Sequence, residues 1–97
     1  MREKNSGVIF PNQSRSFDGA KNRVRFWGYD SAIEISFFME TAALKKISPD
    51  IPDRDDAEAG ILEAFDAARD QIEKVADRLY VRSKKNAYAY TLAAEDF

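Results

Sequence analysis

The sequence predicts an α+β domain with the element order β-β-β-α-α-β, in which one short and one long helix pack on one face of a mostly antiparallel sheet. Two observations predict this class. Short stretches alternate between apolar and polar residues, as half-buried strands do. A longer stretch carries apolar residues every three or four positions, as one face of a helix does. With 97 residues, 44% of them hydrophobic, the chain can build one core, so residues 1–97 are predicted as a single domain with a flexible N-terminus over residues 1–7.

Three strands are predicted before the helices. The first covers residues 8–10, which are apolar and are followed by Pro11, and the polar residues 12–18 are interpreted as a turn ending in a reversal at Gly19. Residues 23–27 and 32–39 alternate with a two-residue period on either side of a four-residue turn. This arrangement is typical of an antiparallel hairpin.

A short helix is predicted over residues 42–47, with Thr41 as its cap and Pro49 setting its end. Residues 48–53 form the linker that follows. The last strand is predicted over residues 87–92, where Tyr88, Tyr90 and Leu92 share one face. Because it follows a helix, this strand could enter the sheet beside any earlier strand.

The long helix, from about residue 57 to residue 82, gives the strongest local pattern. Acidic residues crowd its first turns and basic residues its end, which complements the helix dipole. Asp55 and Glu58 resemble a capping box, and Asp53 and Asp56 are further candidate caps. We predict that one stripe of this helix packs in the core: Ile61, Phe65, Ala68, Ile72, Val75 and Leu79, widened by Leu62 and Ala76.

Composition excludes several classes of site. The chain has no Cys and no His, so thiolate chemistry, histidine bases and the common zinc sites are absent. The acidic run 53–58 fails the EF-hand pattern. With Asp53 as the first position of the loop, Glu58 stands where glycine is needed and Ala64 where glutamate is needed. No apolar stretch approaches the ~20 residues of a membrane span. We therefore expect a cytoplasmic protein that is not an enzyme and has no metal or cofactor.

One cluster interleaves cations with aromatic rings, a combination that single-stranded nucleic-acid platforms use. It lacks the pattern of an RNA-recognition motif, so packing within the sheet is the favoured interpretation. Alternation places Val24 and Phe26 toward the helices, and it places Trp27 on the opposite face and partly exposed. The candidate contact residues are Arg23, Arg25, Trp27 and Tyr29 in this cluster, with Arg82, Lys84 and Lys85 near the end of the long helix.

A size argument predicts a homodimer. A helix over residues 57–82 would be ~39 Å long. A compact chain of this length has a diameter of roughly 33 Å. The apolar stripe would then overhang its own domain, and a two-fold partner would cover it.

Four segments together resemble a known family. They are GVIFPNQSRSFD, VRFWGYDSAIEISFF, AGILEAFDAARDQIEKVADRLY and AYAYTLAAEDF, which extend from about Val8 to Phe97. The chain resembles the domain of unknown function 1488 family of short bacterial proteins. The resemblance implies an α+β fold and a bacterial cytoplasmic setting, and it brings no catalytic residues.

The function favoured by these observations is a small non-catalytic interaction or accessory module that self-associates or docks on a protein partner. One alternative is a nucleic-acid-associated accessory protein that uses the basic and aromatic strand. Another is a small-molecule-binding or enzymatic domain with carboxylate chemistry, since carboxylates, Lys or Tyr would have to act where His and Cys are absent.

Overall fold

A four-stranded sheet in the order β1-β2-β3-β4 forms one layer of the structure, and the helices form the other. The computed structural model describes residues 7–49, 51, 58–84 and 86–97. The strands are β1 (Arg15–Asp18), β2 (Arg23–Asp30), β3 (Ile33–Glu40) and β4 (Ala89–Leu92). The helices are α1 (Thr41–Ile47), α2 (Glu58–Ala67) and α3 (Arg69–Arg82), followed by a 3-10 turn at Ala94–Asp96. The predicted α+β class and mostly antiparallel sheet are confirmed, with three helices instead of two.

The sheet is antiparallel from β1 to β3, and β4 then joins β3 in parallel. The hairpin between β2 and β3 is confirmed, but its loop has two residues, Ser31 and Ala32, where four were predicted. Ser31 has a φ of 58°, in the left-handed region that a tight reversal requires. Tyr88 precedes β4 and is 69% exposed, so only Tyr90 and Leu92 of the predicted face point inward.

The prediction of the first strand was wrong in position. Residues 8–10 contribute one antiparallel bridge, in which the backbone N–H and C=O of Ile9 pair with Tyr29 at 2.9 and 2.8 Å. The regular strand β1 lies in the segment interpreted as a turn. Three of its four residues are polar, and it is held by backbone pairing with β2, from Arg15 opposite Phe26 to Asp18 opposite Arg23. The reversal after Asp18 is confirmed, since the backbone N–H of Lys21 donates to its carbonyl.

The N-terminal segment, defined here as residues 7–14, packs between β2 and the helices. Val8 is buried, Phe10 lies 5.8 Å from the ring of Phe26, and the backbone N–H of Val8 donates to Asp77 at 2.7 Å. Gly28 makes this approach feasible. A Cβ at this position would come within 2.5 Å of the Ile9 carbonyl oxygen and 2.6 Å of a Val8 methyl group.

The core lies between the inner face of β2 and β3 and the helix stripe. Phe26, Phe37 and Phe65 are fully buried, and the Phe26 ring lies 5.4 Å from Phe37 and 5.1 Å from Phe65. The predicted stripe is confirmed as core, with Leu62, Ala68 and Leu79 at its half-buried margin. Arg69 and Tyr80 are also buried, which the pattern did not indicate.

The long helix is interrupted at Ala68, whose φ of −102° and ψ of 13° are not helical. Its backbone N–H bonds to the carbonyls of both Ala64 and Phe65, so the hydrogen bond of Ala68 is kept at the interruption. The two pieces have 10 and 14 residues, or ~15 and ~21 Å, in place of the single helix of ~39 Å assumed in the size argument for a dimer.

The predicted cap of the first helix was wrong, and those of the long helix lie outside the described residues. The N-cap of α1 is Glu40, not Thr41, and the backbone N–H of Thr41 donates to the carbonyl of Asn22. Asn22 connects β1 to β2 with a φ of 51°, which asparagine tolerates. The predicted caps Asp53, Asp55 and Asp56 lie outside the described residues, as do residues 1–6 of the predicted flexible N-terminus.

Candidate functional site

The surface of the sheet opposite the helices, termed the outer face, carries the first candidate residues. Along β2, Val24 and Phe26 are buried toward the helices while the intervening side chains point the other way, so the predicted alternation is confirmed. Trp27 is half-buried, as predicted, and no described side chain on this face is buried. The outer face comprises Ser16 and Asp18 on β1, Arg23, Arg25, Trp27 and Tyr29 on β2, Glu34, Ser36, Phe38 and Glu40 on β3, and Ala89 and Thr91 on β4.

Both arginines of the outer face stack on aromatic rings. The guanidinium carbon of Arg23 lies 4.0 Å from the centroid of Phe38, and that of Arg25 lies 4.5 Å from the centroid of Trp27. Contacts of this kind are worth about 0.5–1 kcal/mol at exposed sites. The stacks cover the apolar rings with cations, so the face is neither a bare hydrophobic patch nor a purely charged one.

Polar contacts fix the same arginines from the side. The Nε of Arg23 donates to Asp18 at 3.2 Å. One Nη of Arg25 donates to Glu34 and to the hydroxyl of Ser36, each at 3.2 Å. Exposed ion pairs add little stability. Their effect here is to hold two long side chains in one orientation.

The charge of this surface is balanced. Its two arginines are accompanied by three carboxylates, those of Asp18, Glu34 and Glu40, of which the first two contact the arginines directly. A nucleic-acid platform needs uncompensated positive charge and free aromatic faces for the bases. On the outer face the positive charge is compensated, and Phe38 and Trp27 each already stack with an arginine.

The remaining candidates do not join the outer face. Arg82 ends α3 in the helix layer, where its Nη lies 3.7 Å from an oxygen of Asp96. Lys84 follows in the turn after α3, with a φ of 63° and its backbone N–H bonded to the carbonyl of Val81. Lys85 lies outside the described residues. The predicted set is therefore divided between two surfaces.

Residues 8–92 match the family model described as protein of unknown function (DUF1488). The chain belongs to the DUF1488 family. A crystal structure of a DUF1488 protein of unknown function from Shewanella loihica PV-4 is similar to this chain with a TM-score of 0.74 and 15% identity, covering 92% of this chain and 94% of that one. At this identity the likeness shows the fold alone, and no curated protein matches.

Arg69 is a residue of this DUF1488 chain that the pattern analysis missed. It is 4% exposed, and its guanidinium donates to Glu73 at 2.7 Å and to the carbonyls of Asn12, Gln13 and Ser14 at 3.1–3.4 Å. Its guanidinium carbon also lies 5.3 Å from the Phe65 ring. Arg69 thus attaches the N-terminal segment to α3. Its spacing of four from Phe65 places it on the buried face, but its charge suggested solvent.

A second buried polar group joins α3 to β2. The hydroxyl of Tyr80 donates to Asp30 at 2.6 Å, and its ring meets Tyr90 edge-on at 5.7 Å. Ser83 links the two tyrosines by donating to the Tyr80 carbonyl at 2.8 Å and contacting the Tyr90 hydroxyl at 2.9 Å. Burial, followed by the hydrogen bond to Asp30, raises the pKa of Tyr80 to about 12. A phenol this weakly acidic holds its proton and serves here as a structural donor.

The Tyr80 contact predicts a loss of stability in alkali. Because the folded pKa is raised from 10.0 to about 12, the stabilisation is fully present below pH 10 and is lost as the pH rises toward 12. We expect the melting temperature of the wild-type chain to fall over this window. Tyr80→Phe should be less stable at neutral pH and should show a shallower alkaline fall, measured by thermal denaturation from pH 7 to 12. Equal slopes for the two proteins would contradict this role.

Two features are absent from the described part of the chain, a cluster of metal ligands and a membrane-spanning helix. Residues 7–49, 51, 58–84 and 86–97 contain no group of three or more acidic, histidine or cysteine side chains that could hold a metal ion. Of the acidic run 53–58, only Glu58 is described, and it begins α2. Among the described helices, none combines the length and apolar character needed to cross a bilayer.

Proposed function

We propose that this protein is a non-catalytic interaction module that docks a protein partner on its outer face. One observation carries the proposal: Trp27 and Phe38 lie half-buried under fixed arginines on a sheet face that leaves all its described side chains accessible. Tryptophan and arginine are enriched among the residues that contribute most to protein interfaces. The proposed setting is the cytoplasm, which the resemblance to short bacterial proteins supports.

The geometry favours binding because the arginines are held before a partner arrives. Ordering a long side chain at an interface costs about 0.5–1.5 kcal/mol. Asp18 orients Arg23, and Glu34 and Ser36 orient Arg25, so this entropy is already lost in the free protein. A partner can then bind to a preformed surface.

The balanced charge of the outer face favours protein over nucleic acid as the partner. Two arginines against three carboxylates give no excess of positive charge to attract phosphates. The additional basic residues of the nucleic-acid alternative, Arg82 and Lys84, belong to the helix layer and its following turn. A mixture of cations, carboxylates and aromatic rings suits another protein surface.

Site-specific photo-crosslinking in the native cell tests the proposal. A benzophenone amino acid is placed at Thr91, exposed on the outer face of β4, and in parallel at Lys74, exposed on α3 as the control. We expect a discrete adduct from position 91 that is weak or absent from position 74. Trp27→Thr, which keeps a β-branched residue in the strand, should reduce that adduct at least fivefold. Equal crosslinking from both positions, or an adduct insensitive to Trp27→Thr, would contradict docking on this face.

A further inference from the structure

We propose that the outer face binds a second copy of this chain, face to face, about a two-fold axis parallel to the strands and midway between β2 and β3. This inference rests on the proposed docking function and names its partner. It follows from the register of the hairpin. Rotation about this axis places β2 of one copy over β3 of the other. Each side chain then faces, in the other copy, the residue that is its cross-strand neighbour within the hairpin. The facing pairs are Arg23 with Glu40, Arg25 with Phe38, Trp27 with Ser36, and Tyr29 with Glu34.

The first pair joins opposite charges, and the second joins a cation to an aromatic ring. Arg23 contacts Asp18 through Nε. The two NH2 groups of its guanidinium can then donate to the exposed Glu40 of the other copy. Arg25 would meet the ring of the other Phe38, extending the cation–aromatic stacking already present within each copy. Each contact occurs twice because the axis is two-fold.

The other two pairs are complementary in shape and hydrogen bonding. Trp27, the largest side chain on the face, would lie against the small Ser36. The phenol of Tyr29 would face the carboxylate of Glu34, an acceptor for its proton. The exposed Ile9, paired with Tyr29 on the same face and 61% accessible, lies at the margin and would lose water on association.

The alternative axis, across the strands, is unfavourable. It would superimpose β3 on β3 in opposite directions and bring Glu34 of each copy against Glu40 of the other. Like charges facing each other across an interface oppose association. The charges of the hairpin therefore select one of the two simple face-to-face arrangements.

The area of the face fits a reversible dimer. Two strands of eight residues and two of four, at ~4.8 Å spacing and ~3.4 Å per residue, give about 400 Å² per copy, or about 800 Å² for the pair. This is below the standard size of specific interfaces and within the range of weak, transient ones. We therefore expect self-association at micromolar concentration. Because each sheet is twisted, the strands of the two copies should cross at about 30°.

Charge reversal followed by mixing tests this geometry. Arg23→Glu and Glu40→Arg each place like charges at both symmetric contacts, so each variant alone should associate at least tenfold more weakly than wild type. An equimolar mixture should recover association, because the two acidic side chains of one variant face the two basic side chains of the other. Sedimentation equilibrium measures both, and circular dichroism checks the fold. Lys74→Glu, an equal charge change on the exposed face of α3, is the control and should associate like wild type.

Three results would overturn the dimer: a single-chain mass for the wild type up to 100 µM, self-association unaffected by Arg23→Glu, or no association in the mixture. These outcomes are separable from failure of the docking function. If Thr91 crosslinks a different protein in a manner that depends on Trp27, the outer face docks a partner and only the second copy is wrong. If neither position crosslinks, the docking function itself is wrong.

Discussion

Phe65→Ala is expected to lower the free energy of unfolding by about 3–5 kcal/mol, a large part of the stability of a domain this size. Phe65 is fully buried, and its ring lies 5.1 Å from Phe26 and 5.3 Å from the guanidinium carbon of Arg69. Truncation loses the transfer free energy of the ring and leaves a cavity between the sheet and α2. The Arg69 guanidinium also loses the ring against which it packs.

Urea denaturation followed by circular dichroism measures this effect. Leu62→Ala is the matched control, since Leu62 lies on the same helix but is only half-buried, and it should cost less than half as much. A free energy of unfolding unchanged by Phe65→Ala would show that the helix stripe is not the core.

Arg69→Met is expected to cost about 2–4 kcal/mol while preserving most of the side-chain volume. The substitution removes one partner of a buried ion pair with Glu73 and three donors to the backbone of the N-terminal segment. Groups left without a partner in a protected site account for the loss. Arg69→Lys should recover only part of it, because an ammonium cannot reproduce the planar fork that reaches three successive carbonyls.

Hydrogen exchange identifies the cause of this loss. If Arg69 holds the N-terminal segment, the amide of Ile9 should exchange faster in Arg69→Met, even under conditions where the helices remain protected. Glu73→Gln keeps the carbonyl contacts and should leave Ile9 protected. Unchanged stability together with unchanged exchange at Ile9 would mean that Arg69 is accommodated without stabilising the fold.

The parts of the fold that the sequence predicted are those whose side chains report burial directly. Alternation in β2 and β3 and the three-to-four spacing from Ile61 to Leu79 both reflect one face packed in a core. Strand β1 escaped prediction because it is held by backbone pairing and carries the polar sequence Arg-Ser-Phe-Asp. The interruption at Ala68 escaped as well, since neither glycine nor proline marks it.

The candidate site was predictable only within one strand. Arg23, Arg25, Trp27 and Tyr29 share the outer face because a period of two requires it, whatever the rest of the fold. Whether Arg82 and Lys84 join them depends on which layer α3 occupies, and no local pattern contains that information. The second row of the face, with Phe38 and the carboxylates beside it, became visible only through the register of the hairpin.

The parallel pairing of β4 with β3 bears on how the molecule comes apart. Strands β1 to β3 are neighbours in the chain, but all three helices lie between β3 and β4. Pairing of β4 with β3 therefore closes a long loop that contains every helix, and Leu92 and Tyr90 pack with those helices in the same core. We therefore expect the sheet and the helices to unfold together in one cooperative transition.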